Sequence, residues 1–120
     1  MTHEEAILID ALATVRRGWT QKAWARDEDG FSVNENGNTA CEWCLSGAIR
    51  RAWATTGGKE DTYRSAVAVV TETIRRQNEI PNPGVRCSTI HWNDAPGRTQ
   101  EDAIALLENT IRRLQDNERN

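Results

Sequence analysis

Apolar residues recur along most of this chain at a helical spacing. Leu8, Leu12, Val15 and Trp19 share one face of a segment from about His3 to Gly18, and Thr2 with Glu5 three residues on supplies a capping box at its start. A second helix is expected from about Ala40 to Thr56, with Thr39 as N-cap, Glu42 as box partner and Gly57-Gly58 as the stop. Its buried stripe is Cys41, Cys44, Leu45, Ala48 and Ala52, with Trp43, Ile49 and Trp53 at the margins. The third, from about Lys59 to Gln77, carries Tyr63, Ala66, Val67, Val70 and Ile74, and Pro81 and Pro83 force its end. The fourth starts at Thr99, capped with Asp102, and follows Ala103, Ile104, Leu107, Ile111 and Leu114 to about Gln115.

Two stretches depart from that period. Residues 22 to 34 read as a hairpin turning at Asp29-Gly30. A two-stranded ribbon is marginal alone, so Trp24, Phe31 and Val33 are expected to pack on the helices. Residues 78 to 98 form a connection long enough to imply structure of its own, and a short turn of helix or strand is expected from about Cys87 to Trp92. The expected architecture is mainly α: a four-helix single domain over residues 1–120, with a small β-hairpin between helices 1 and 2 and a long loop between helices 3 and 4.

Composition narrows the function classes. With 120 residues and 38% hydrophobic content the chain supports one modest core, and five tryptophans supplement its aliphatic supply. No run approaches the ~18 apolar residues needed to cross a bilayer, and the acidic start His3-Glu4-Glu5 is unlike a secretory signal. Three cysteines are an odd number, which fits a reducing compartment, so a cytoplasmic location is expected. A net charge of −3 makes nucleic acid a poor partner, because phosphate-backbone affinity comes from basic surface. Arg16-Arg17, Arg50-Arg51, Arg75-Arg76 and Arg112-Arg113 fall late in the four expected helices, where they complement the helix dipole.

The candidate chemistry is sparse. Cys41-x-x-Cys44 and Cys87-x-x-x-His91 make two pairs with permissible zinc spacing. Cys41 and Cys44 fall in a helix where a Gly-containing knuckle is usual, however, and buried cysteine serves as a small hydrophobe. The packing reading is preferred and no cofactor is expected. Cys44 with His91 as base and Asp94 to orient it has the residue types of an activated thiolate, and Cys41–Cys44 those of a redox pair without its βαβ scaffold. Trp92-Asn93-Asp94 is first a structural element, with polar side chains satisfying loop amides and an indole pinned to the core. If a ligand pocket exists, Trp43, Trp92, Asn93 and Asp94 offer a stacking face beside hydrogen-bonding groups. Gly47 inside a helix costs about 1 kcal/mol relative to Ala, so close approach of another helix or an indole is expected there.

Taken together, Gly18-Trp19, Arg26-Asp-Glu-Asp-Gly30, Trp43-Cys44-Leu-Ser-Gly47-Ala48, Trp92-Asn93-Asp94 and Pro96-Gly-Arg-Thr99 form an ordered pattern. It resembles a family of short bacterial and phage proteins catalogued as a domain of unknown function. The resemblance spans most of the chain; its most specific parts are Trp-Cys-x-x-Gly-Ala and Trp-Asn-Asp. It implies a phage or mobile-element setting and supplies no activity. Cys41 and Cys87 lie outside the pattern. The leading expectation is a non-enzymatic protein that binds a host protein or a small ligand. The alternatives are a zinc-stabilised or cysteine-dependent domain using Cys41, Cys44, Cys87 and His91, and a nucleic-acid accessory factor using the paired arginines.

Overall fold

The computed structural model describes residues 2–77 and 89–119. In chain order the elements are α1 (His3–Arg17), β1 (Ala25–Arg26), β2 (Ser32–Val33), β3 (Glu42–Trp43), α2 (Leu45–Thr56), α3 (Glu60–Arg76), α4 (Thr89–Asn93) and α5 (Gln100–Arg119). The chain is thus mainly helical with a small antiparallel sheet. Helix α1 lies at the centre, packed on α2, α3 and α5. It buries Ile7, Leu8, Ala11 and Val15 against Ala48 and Ile49 of α2, Val70 and Ile74 of α3 and Leu106 and Leu107 of α5. Each such Leu or Ile contributes roughly 1.5–3 kcal/mol by leaving water.

Capping explains where most helices begin. Thr2 accepts from the Glu5 amide at 3.1 Å. At α5 the box is reciprocal: the Thr99 amide donates to Asp102 and the Asp102 amide to Thr99 Oγ1. Three of the four expected helices therefore lie where the pattern predicts.

The second does not. Its N-cap is Cys44, whose sulfur accepts from the Gly47 amide at 3.2 Å, and residues 42–43 are strand rather than helix. Tertiary bonds override the local pattern. The amides of Cys41 and Cys44 donate to the carbonyls of Arg26 and Trp24, while the Trp43 amide donates to Gly18 and its carbonyl accepts from Thr20. A backbone bonded on both sides has no amides left for a helix. The resulting sheet has the order β2-β1-β3, with Ala25 opposite both Val33 and Trp43. The hairpin is present and gains a strand that the pattern did not predict.

Gly18 and Gly47 make that docking possible. A Cβ on Gly47 would collide with the Trp24 carbonyl oxygen and lie 2.9 Å from its carbon. A Cβ on Gly18 would collide with the Cys41 carbonyl oxygen. The close approach at Gly47 is thus by the backbone of Trp24, just before β1, and neither a helix nor an indole makes it.

Other expectations need correction. Phe31 is 69% exposed and Trp24 40%, so neither packs into the core, whereas Val33 does rest against it. Arg16-Arg17 and Arg75-Arg76 occupy the last turns of α1 and α3. Arg50-Arg51 lie mid-helix in α2, and Arg112-Arg113 well before the end of α5, where the dipole argument does not reach.

Candidate functional site

Helix α4 and the turn after it join the sheet to the helices through one side chain. Asn93 is fully buried. Its Oδ1 accepts from Trp19 Nε1 at 2.7 Å and from the Leu45 amide at 3.1 Å. Its Nδ2 donates to the Thr20 carbonyl at 3.1 Å and to Asp94 Oδ1 at 3.2 Å. Gln21 Nε2 donates to the carbonyls of Asn93 and Ala95. Beside it Trp92 is buried, with the Arg98 guanidinium 3.8 Å from its ring centroid and Arg98 Nε donating to its carbonyl. A buried amide that satisfies four partners fixes the relative placement of the elements bearing them.

Next to this junction is an open cleft of about 450 Å³, lined by Lys22, Ala23, Trp24, Ser32, Cys44, Ile90 and Asp94. The approach to β1 supplies Lys22, Ala23 and Trp24, the α2 N-cap supplies Cys44, and α4 with its following turn supplies Ile90 and Asp94. Trp24 and Ile90 are 40% and 45% exposed. The Lys22 backbone is held at φ 65°, a left-handed conformation that costs a non-glycine residue about 1 kcal/mol. Its amide is fixed there by donation to Asp94 Oδ1 at 2.9 Å. The guanidinium of Arg50 lies 4.9 Å from the Trp24 ring centroid. Arg50 is held in turn by Glu35, a buried carboxylate 2.9 Å from its Nε.

Cys44 forms part of the wall and is itself buried. Burial pushes its thiol above the ordinary value and the Asp94 charge adds to this, while the Gly47 and Ser46 amides offset only part. A thiol so placed stays protonated near neutrality and is a poor nucleophile. His91 is exposed and does not line the cleft, so the Cys44–His91–Asp94 set contributes two of its three members to this wall.

Cys41 opens elsewhere, onto a cleft of about 480 Å³ with Asp27, Glu28, Asp29, Asn38, Thr39 and Ala40. Partial burial and the charges of Glu42, Glu28 and Asp27 push its thiol up. Cys87 lies outside the described residues. Among the described residues no three His, Cys, Asp or Glu side chains gather as metal ligands. Of the four side chains expected to form a ligand pocket, Trp43, Trp92 and Asn93 are buried and Asp94 lines the cleft. Trp24, Lys22 and Ile90 were missed as site residues. Strand parity offered a signal for Trp24: it alternates with Ala25, which is fully buried, and must face the other way.

No helix among the described residues is long and apolar enough to cross a membrane. Neither the curated proteins nor the solved structures contain a match to this chain. A family does match, over residues 1–113, a span that takes in the sheet, the cleft and the Asn93 junction. The chain belongs to the family of unknown function DUF6197.

Proposed function

We propose that this chain is a non-enzymatic binding protein whose cleft between the hairpin and α4 receives an apolar group of a host protein or of a small ligand. The observation that carries this reading is that Trp24 and Ile90, two of the exposed large hydrophobics, line one cleft. Single exposed apolar residues are ordinary, but two on a shared concave wall offer surface that a partner can dehydrate. Lys22 and Asp94 at the same wall supply charges that orient whatever enters. The Asn93 network holds the walls before binding, which lowers the ordering cost of association. The strained backbone of Lys22 is of the kind that collects at binding sites.

A phage or mobile-element setting, in the cytoplasm, belongs to the same reading, supported by the Trp-Cys-x-x-Gly-Ala and Trp-Asn-Asp elements. The cysteine-dependent alternative draws support from the position of Cys44 in the cleft, and its raised thiol weighs against it.

The test is an NMR titration with indole and isobutanol as apolar probes, observing the Trp24 indole N–H and the Ile90 methyls. Shifts confined to the cleft and lost in Trp24→Ala support the reading. Shifts scattered over the surface, or unchanged in Trp24→Ala, refute it.

A further inference from the structure

Most described arginines spend their donors on nearby oxygens. Arg16, Arg50, Arg64, Arg75 and Arg76 each face a carboxylate. Arg26 donates to Thr20 Oγ1 and to the carbonyls of Gln21 and Gly30, and Arg113 to Thr73 Oγ1. Arg17 and Arg51 differ. Both guanidiniums lie over the ring of Trp43, 5.2 Å and 5.1 Å from its centroid. Among the described residues neither has an ion pair; Arg51 makes one long hydrogen bond, 3.4 Å to the Glu35 carbonyl, and Arg17 makes none. The Glu35 carboxylate is already engaged by Arg50.

Stacking uses the face of a guanidinium and leaves its in-plane N–H donors directed outward. The platform beneath is rigid: Trp43 is fully buried, its Nε1 donates to the Glu35 carbonyl at 3.0 Å, and its backbone is bonded on both sides. The indole gives both side chains a common surface to rest on before any ligand arrives. Two cations around one ring, neither with an ion pair among the described residues, concentrate positive charge locally in a chain of net charge −3.

We propose that Arg17 and Arg51, held on Trp43, form a binding site for a doubly charged oxyanion of the phosphate class, either free phosphate or a phosphate monoester. The guanidinium carbons, each about 5 Å from a common centroid, are no more than about 10 Å apart. A phosphate accepting one hydrogen bond of about 2.8 Å from each side spans about 8 Å between donor nitrogens, so the site requires both guanidiniums on the same side of the ring. A monocarboxylate carries one charge and is satisfied by a single guanidinium fork, so it gains little from the second arginine. The site involves the end of α1 and the middle of α2 and shares no residue with the wall of the cleft.

The full chain is titrated at constant ionic strength with inorganic phosphate, phenyl phosphate, acetate and chloride, following the arginine Nε–H resonances. Saturable shifts at Arg17 and Arg51 are expected with the phosphates, at an affinity about tenfold above acetate. Inorganic phosphate binding as well as phenyl phosphate identifies the free anion as sufficient; a clear preference for phenyl phosphate identifies a monoester site. Arg17→Met and Arg51→Met retain apolar cover on the indole and should each weaken binding at least about fivefold. If Arg51→Met does not fold, Arg17→Met decides alone, because Arg17 is an exposed residue at a helix end. Equal responses to phosphate and acetate, or binding that survives Arg17→Met, overturn the proposal.

Discussion

The Asn93 junction and the Trp24 cleft adjoin each other and are built on opposite terms. At the junction the Asn93 amide engages both sides of its hydrogen-bonding capacity with residues from three parts of the chain. In the cleft, Trp24 and Ile90 remain partly hydrated and Lys22 holds a strained backbone. A satisfied buried network contributes uniqueness of structure, whereas incompletely buried apolar surface keeps free energy in reserve for association. Asp94 joins the two, since its Oδ1 accepts from Asn93 and from the Lys22 amide while its side chain lines the cleft. The Trp-Asn-Asp element thus builds the wall beside which binding is proposed.

The largest expected effect tests the junction. Asn93→Ala leaves Trp19 Nε1, the Leu45 amide and the Thr20 carbonyl without their partner, the Leu45 amide in a buried setting and the other two part-buried, at a cost of roughly 3–5 kcal/mol. Urea denaturation reads this directly. A loss below about 1 kcal/mol would place the structural load elsewhere and remove the contrast drawn above.

Gly47→Ala comes next, and here the sign is the test. On an open helix face the change stabilises by about 1 kcal/mol. Here the new methyl meets the Trp24 carbonyl, a backbone group that cannot rotate away, so a destabilisation of roughly 2 kcal/mol is expected. Because β1 must shift to admit it, the Trp24 indole resonance should move as well. A stabilised variant would mean that sheet and helix separate easily and that the cleft wall is not fixed.

Much of the helical frame was legible from local signals. Thr2 with Glu5 and Thr99 with Asp102 mark helix starts because capping is settled within four residues of chain. The start of α2 was not legible, because Cys41, Cys44, Leu45 and Ala48 have helical spacing while the backbone partners of Cys41, Trp43 and Cys44 are Arg26, Gly18 and Trp24, far away in sequence. The site divided in the same way. Asn93 and Trp92 could be read as structural from residue type, but their partners, Trp19, Thr20 and Leu45, required the fold. Trp24 was expected to pack on the helices because a two-stranded ribbon is marginal alone, and the strand it precedes is only two residues long, too short for parity to overrule that expectation. The thiols of Cys41 and Cys44, three residues apart, open on different clefts because a strand, and not a helix turn, separates them.

A smaller effect concerns Cys44. Burial raises its thiol above the ordinary value of 9.0, so the folded protein holds this proton more tightly than the unfolded chain does. That contribution is fully present below the unfolded pKa and is lost as pH rises from about 9 through the folded value, at up to about 1.4 kcal/mol per pH unit. Urea stability should therefore fall on this alkaline limb. Cys44→Ser keeps an N-cap oxygen for the Gly47 amide and should remove the Cys44 share of the slope, at little cost near neutrality. An unchanged slope in the serine variant would show that other groups dominate the limb and that Cys44 is less sheltered than the wall geometry implies.

The smallest expected effect marks where the binding surface ends. Phe31 is 69% exposed at the hairpin turn and does not line the cleft, so Phe31→Ser should alter stability by less than about 0.5 kcal/mol. If the cleft alone receives the partner, this variant also leaves the indole and isobutanol titrations unchanged while Trp24→Ala abolishes them. Comparable losses in both variants would extend the surface from the cleft wall over the tip of the hairpin, changing the ligand from a small inserted group to a broader apolar face. The paired titrations thus separate a pocket from a patch, because Phe31 can join a contact only if the partner reaches beyond the concave wall.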